Sequence, residues 1–161
     1  MKRHWKKLLI CLAIPLGVGG LATLLSGGME SYQVMNQPPL SPPGWVFPIV
    51  WSILYLLMGY ASYRILGSET EPGVIKKALT YYGIQLALNF LWPLIFFGLQ
   101  WYWLAFIWLL ILWVFIYLTM YQFGQIDDTA ENLLIPYLLW VTFAGYLNFG
   151  VALLNEKGPL V

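Results

Sequence analysis

Charge is scarce in this chain. Of 161 residues, 9% are charged and 60% are hydrophobic. A soluble domain carries about 25% charged residues, and a chain this short cannot hide so much apolar surface in one aqueous core. The composition excludes a soluble globular domain. It excludes disorder as well, which needs low hydrophobicity and high charge. The net charge is +1, and no basic stripe runs along the chain to hold nucleic acid. Cysteine occurs once, as Cys11, which rules out an internal disulfide and a thiolate metal cluster. Histidine also occurs once, as His4 in the basic amino terminus. There is no P-loop, no nucleophile–base pair and no metal-ligand cluster. What remains is a polytopic membrane protein.

Long apolar runs are what the sequence has. A helix needs about 20 mostly apolar residues to cross the hydrocarbon. Five runs qualify, near 8–25, 45–66, 75–97, 101–123 and 133–154. They do not alternate as barrel strands would, and only helices satisfy their own peptide groups in lipid. The expected fold is all-α: one domain over residues 1–161, an integral membrane bundle of five transmembrane helices. No run has a charge at its centre, and Arg64 lies near an end; an ion-coupled pump is therefore disfavoured. The basic Met1–Lys7 followed by apolar Leu8–Leu25 resembles a signal peptide. Its apolar part exceeds the usual run of about 7–15 residues, and no small-x-small site ends it. A retained first helix is the preferred reading; a mature chain beginning near Met29 is the alternative.

Lys2, Arg3, Lys6, Lys7, Arg64, Lys76 and Lys77 fall on one side of such a bundle, and Lys157 on the other. That asymmetry predicts a multi-pass cell-membrane protein with its N-terminus cytoplasmic and its C-terminus external. The external loop 26–43 is long and contains Pro38, Pro39, Pro42 and Pro43. It reads either as a rigid spacer or as a lid over a site. Gly98–Gln100 reads as a short turn between antiparallel helices. Asp128 or Thr129 is placed to cap the fifth helix.

Nine tryptophans need an explanation. Trp5, Trp45, Trp101 and Trp103 suit the membrane interface. Trp51, Trp92, Trp108, Trp113 and Trp140 lie deeper, where an indole N–H wants a partner. Trp51, Tyr55 and Met58 share one face of the second helix, and Gln85, Asn89 and Trp92 one face of the third. On the fifth helix, Pro136, Trp140, Ala144, Leu147 and Val151 form a stripe with Asn148 beside it. Three such faces enclose an apolar pocket with sparse hydrogen-bonding groups, which suits a small molecule. The competing reading is that Asn89 and Asn148 only tie helices together. The small pairs Ala13/Gly17 and Gly83/Ala87 permit close helix approach, inside the bundle or between two copies.

Three strings stand out together: Pro42-Pro43-Gly44 with Val50 to Tyr60 (VWSILYLLMGY); Gln85 to Trp92 (QLALNFLW) with Phe96-Phe97-Gly98; and Pro136 to Ala144 (PYLLWVTFA) with Leu147-Asn148. In this order and spacing the chain resembles the translocator protein family, also called tryptophan-rich sensory proteins (TspO/MBR). The resemblance covers all five helices. It implies a membrane receptor or sensor, often a homodimer, that binds porphyrins such as protoporphyrin IX and other hydrophobic aromatic ligands. The porphyrin enters as ligand, and no cofactor or metal is implied. Pro42, Pro43, Trp51, Asn89, Trp140, Ala144 and Leu147 are the ligand-binding residues it implies, with Tyr55, Trp92 and Asn148 added from their shared faces. A fourth-helix tryptophan also belongs to the family pocket, and Trp101 and Trp103 compete for that place. Some members degrade protoporphyrin in light and oxygen, which makes Trp51 and Trp140 candidate catalytic residues. That enzyme, a passive porphyrin or lipid transporter, and a structural subunit are the alternatives. The first loop departs from the family: Ser31, Gln37 and Leu40 stand where relatives have Trp, Lys and Trp. Phe149 stands near the Tyr of the family's sterol motif and no Arg follows, which weakens the case for a sterol site there. Leu57, Tyr60 and Arg64 make a loose sterol pattern better read as chance.

Overall fold

The computed structural model describes residues 2–27 and 30–155. The chain runs α1 (Lys2–Leu25), α2 (Glu30–Val34), α3 (Val46–Leu66) and α4 (Pro72–Pro93), then a π-helical turn (Leu94–Leu99). After it come α5 (Tyr102–Gly124), α6 (Asp128–Leu133) and α7 (Ile135–Asn155). No strand occurs among the described residues. Five stretches are long and apolar enough to cross a membrane: His4–Leu25, Val46–Leu66, Pro72–Leu99, Tyr102–Gly124 and Asp128–Asn155. They are the five expected. The third and fifth start earlier than expected, at Pro72 and Asp128, because Pro at the first helical position and an acidic first turn both favour helix starts.

The bundle has an apolar interior and an apolar outer surface as well. Leu24, Ile107, Leu110 and Leu139 point outward, whereas Ser62, Gln85, Asn89, Thr119 and Asn148 are buried. Lipid rewards this arrangement, since a polar group facing hydrocarbon has no partner. α1 is a working wall of the bundle rather than an appendage. At Gly59 of α3 a Cβ would stand 2.6 Å from the Cys11 carbonyl oxygen and 2.8 Å from the Leu12 Cα. Only glycine allows that approach. Ala13/Gly17 and Gly83/Ala87 do not serve this purpose inside the bundle. All four are exposed, and a Cβ at Gly17 or Gly83 would meet nothing within 4 Å.

Prolines set the irregularities. Pro93 has no N–H to give Asn89, so the α-helical ladder fails there and continues as the π turn. The expected turn at Gly98–Gln100 is therefore shorter: helix persists to Leu99, and the chain reverses at Gln100, which is left-handed with φ 57°. Pro136 breaks the fifth span into α6 and α7 in the same way. The first loop is not all coil, for it contains α2. Tyr32 there donates to the Pro42 carbonyl at 2.5 Å. Tyr146 donates to the Pro39 carbonyl at 2.7 Å, and Asn36 and Asn155 exchange two hydrogen bonds of 3.2 and 3.0 Å. The loop is thus fastened to α7. Lys157 and Met29 lie outside the described residues.

The cap of α6 is Asp127, one residue before the expected Asp128 or Thr129; its carboxylate accepts from the Thr129 N–H at 2.9 Å. The same carboxylate takes the Arg64 Nε–H at 2.7 Å. Arg64 therefore ties α3 to α6 rather than merely reaching for the interface. The Arg64 hydrogen bond holds the Asp127 carboxyl below the usual aspartate range. Its contribution is whole above that range and is lost as pH falls through the depressed value. Asp127→Asn keeps a cap acceptor but removes the charge. It is expected to cost less than about 1 kcal/mol at neutral pH, as partly exposed pairs do, and to flatten the acid limb of unfolding midpoints measured against pH. An unchanged acid limb would assign that limb to other groups.

Candidate functional site

A cavity of about 110 Å³ opens between α1, α3, α4 and α7. α3 supplies Phe47, Pro48, Trp51 and Tyr55; α4 and the π turn supply Asn89, Trp92, Pro93 and Phe97; α7 supplies Trp140 and Ala144. α1 and the turn that follows it supply small residues only, Gly19, Ala22, Thr23 and then Ser26. Of the residues expected from sequence, Trp51, Tyr55, Asn89, Trp92, Trp140 and Ala144 come together on this lining. Leu147 and Asn148 are buried but are not on it. Pro42 and Pro43 remain in the first loop, where their carbonyls accept from Tyr32 and from the Val46 N–H. No α5 residue lines the cavity, so neither Trp101 nor Trp103 does. Trp103 instead packs edge-on against Phe149 at 5.8 Å.

The rings are arranged for aromatic contact. Trp51 stacks on Tyr55 at 5.5 Å, and Phe47 meets Trp140 edge-on at 5.8 Å. Trp92 and Phe97 make a further edge contact at 5.9 Å. Offset and edge geometries of this kind are the favourable ones for aromatic pairs.

Polar groups behind the rings are largely committed. Tyr55 donates to Asn89 Oδ1 at 2.9 Å, and Asn89 Nδ2 donates to Tyr137 Oη at 2.6 Å. Tyr137 in turn donates to Gln85 Oε1 at 2.7 Å. One amide hydrogen of Asn89 remains, since the group has two. Asn89 thus joins three helices and still faces the cavity; the two readings of this residue are compatible. Asn148 is a tie alone: it accepts from Trp92 Nε1 at 3.1 Å and donates to the Tyr102 carbonyl at 2.9 Å. Trp108 and Trp113 find partners in the Leu88 carbonyl and Thr142 Oγ1, both at 2.9 Å. Trp140 does not: its indole N–H is buried without a partner.

The buried stripe of α7 includes Ala144, Leu147 and Val151 as expected, with Asn148 beside them, and differs only near its start, where Tyr137 and Val141 are buried in place of Pro136 and Trp140. Pro136 is exposed, and Tyr137, Val141, Ala144, Asn148 and Val151 face the interior. Tyr137, fully buried at the hub of the network, is the residue that sequence reasoning missed. The signal was present in its i+4 and i+7 spacing to Val141 and Ala144. The α1 wall was missed as well, because Gly19, Ala22, Thr23 and Ser26 carry no pattern that marks a site.

The TspO/MBR family model matches residues 8–154. The chain belongs to the TspO/MBR family. It is 36% identical to the tryptophan-rich protein TspO of Chlorobaculum tepidum over 157 residues, 96% of this chain and 99% of that one. It is 39% identical to the tryptophan-rich sensory protein of Cereibacter sphaeroides over 130 residues, 81% of this chain and 80% of that one. The human translocator protein is 39% identical over 127 residues, 77% of this chain and 74% of that one. Membership of TspO/MBR together with five apolar helices makes this a multi-pass membrane protein.

Proposed function

We propose that this protein is a membrane receptor that binds porphyrins of the protoporphyrin type, and other hydrophobic aromatic ligands, in the cavity between α1, α3, α4 and α7. In this reading it senses tetrapyrrole or stress-related metabolites in the cell membrane, with its N-terminus cytoplasmic and its C-terminus external. The observation that carries the reading is the lining. Phe47, Trp51, Tyr55, Trp92, Phe97 and Trp140 surround one space, and the polar groups left over are few. That chemistry suits a flat aromatic ligand. A cavity of about 110 Å³ is near the size that holds a single benzene ring, about 150 Å³ in an engineered case. A macrocycle therefore requires the walls to part. The outward Gly17 and Gly83 leave room for a second copy, the partner we propose for a homodimer.

The test is a protoporphyrin titration of purified protein, read by tryptophan fluorescence in the dark. Saturable quenching is expected, and Trp51→Ala is expected to weaken it by about tenfold, or 1.4 kcal/mol, while the helical circular dichroism is kept. Unchanged affinity would move the site elsewhere. Illumination separates the second reading, which the placement of Trp51 and Trp140 on one cavity favours. Loss of porphyrin absorbance in light and oxygen but not in darkness would make the protein a photo-oxidative enzyme.

A further inference from the structure

We infer that the end of the bundle where α1 begins and α3 ends holds the headgroup of a phospholipid that carries a primary ammonium, phosphatidylethanolamine. The site is separate from the aromatic cavity and stands whether or not that cavity takes a porphyrin. Along α3, Arg64 lies about 14 Å beyond Tyr55 of the cavity, at 1.5 Å per residue.

A cleft of about 930 Å³ opens between the start of α1, the end of α3 and the turn into α6. Small-molecule sites commonly measure about 300–1,000 Å³. α1 lines the cleft with His4 and Lys7, α3 with Tyr63 and Arg64, and the turn into α6 with Asp127 and Asp128. Both signs of charge therefore face one space. Lys7 and Arg64 balance Asp127 and Asp128, so the cleft is neutral overall when His4 is neutral. It is dipolar all the same. The basic groups come from α1 and α3, and the carboxylates from the turn into α6.

These charges are only partly spent on one another. Arg64–Asp127 is the one ion pair among the described residues. Arg64 gives its Nε–H to Asp127 and an Nη1 hydrogen to Tyr60 Oη at 3.5 Å. A guanidinium has five N–H donors, so most of them remain. Lys7 and Asp128 line the same cleft and form no ion pair with each other. The cleft thus offers unspent donors on one side and an unspent carboxylate on the other. Its complement is a zwitterion: a phosphate for Lys7 and Arg64, and an ammonium for Asp128. Both contacts are charge-assisted hydrogen bonds.

The surroundings favour a lipid as the source of that zwitterion. Ile53, Leu56 and Tyr60 precede Arg64 at helical spacing on α3, and all three are exposed. In a multi-pass membrane protein such a face meets acyl chains. The Arg64 guanidinium lies over the Tyr60 ring at 5.9 Å, and Tyr is a residue of the headgroup level. Basic pockets at helix ends are known headgroup sites. A purely anionic headgroup leaves Asp128 facing like charge. A choline headgroup has no N–H to give it.

The experiment measures lipid binding to the delipidated full chain in detergent by native mass spectrometry. Phosphatidylethanolamine, phosphatidylglycerol and phosphatidylcholine with the same acyl chains are compared at neutral pH. The first is expected to bind about fivefold tighter than the other two, the scale of an exposed charge pair. Lys7→Gln should weaken phosphatidylethanolamine and phosphatidylglycerol alike. Asp128→Asn should weaken phosphatidylethanolamine several-fold and strengthen phosphatidylglycerol, a crossing that a loss of structure would not produce. Equal binding of the three lipids, or tightest binding of phosphatidylglycerol, would overturn the inference. A shift of both lipids in the same direction in Asp128→Asn would remove that carboxylate from the site. Displacement of the lipid by an equal concentration of glycerophosphoethanolamine, which has no acyl chains, would overturn the lipid as the occupant.

Discussion

Ala144→Phe is expected to raise the dissociation constant for an aromatic ligand by about a hundredfold or more, equivalent to about 2.8 kcal/mol. Ala144 lies on the lining, and the cavity measures about 110 Å³. A phenyl group placed there occupies most of the room a first ligand ring needs. The fold should tolerate the change better than a filled core would, because the new ring enters empty space rather than packed neighbours. Fluorescence titration measures the binding, and an SDS unfolding curve measures the fold. Affinity within a few-fold of wild type, with the bundle intact, would show that the ligand does not use this cavity.

Gly59→Ala should produce the largest loss of stability. The added Cβ would meet the backbone of Cys11 and Leu12 at 2.6 and 2.8 Å. Backbone cannot rotate aside, so α1 and α3 must separate along their contact. Overpacking of this kind costs about 1–3 kcal/mol, and more where the neighbour is rigid. Gly17→Ala is the matched control: the same chemistry on α1, with nothing within 4 Å of the new atom. It should be neutral or stabilising by up to about 1 kcal/mol, the helix-propensity gain. Equal midpoints for the two variants in SDS titration would refute the close α1–α3 approach.

The contrast between these glycines marks what a sequence discloses. Five spans were legible because length and apolarity are local properties, and lipid admits few alternatives. The faces carrying Trp51, Tyr55, Asn89 and Trp92 were legible because helical spacing groups them. The site's depth of detail was less so. Gly17 and Gly59 look alike in a chain, and only the partner helix distinguishes a contact from an exposed gap. Tyr137 entered only as part of the PYLLWVTFA string, because its hydroxyl partners Asn89 and Gln85 lie 48 and 52 residues away. The Arg64–Asp127 pair joins positions 63 residues apart, beyond any local pattern. The π turn after Pro93 follows from one missing N–H, but its length depends on how α5 packs back. Trp101 and Trp103 were offered by the family resemblance, and neither lines the cavity.

The placement of the cavity has a kinetic consequence. α4, α5 and α7 are bound into one body by the hydrogen bonds of Trp92, Trp108, Trp113 and Asn148, while α1 and α3 interlock through Gly59. The cavity lies on the seam between these two bodies. The seam is fastened at one end by Arg64–Asp127, across its middle by Tyr55–Asn89, and at the other end by the loop bonds to Tyr146 and Asn155. The side chains that touch a ligand are thus distinct from most of those that hold the door shut. If the cavity binds a ligand as proposed, affinity and residence time would be set largely by different residues, and a lineage of such proteins could change how long a ligand stays without changing which ligand it prefers.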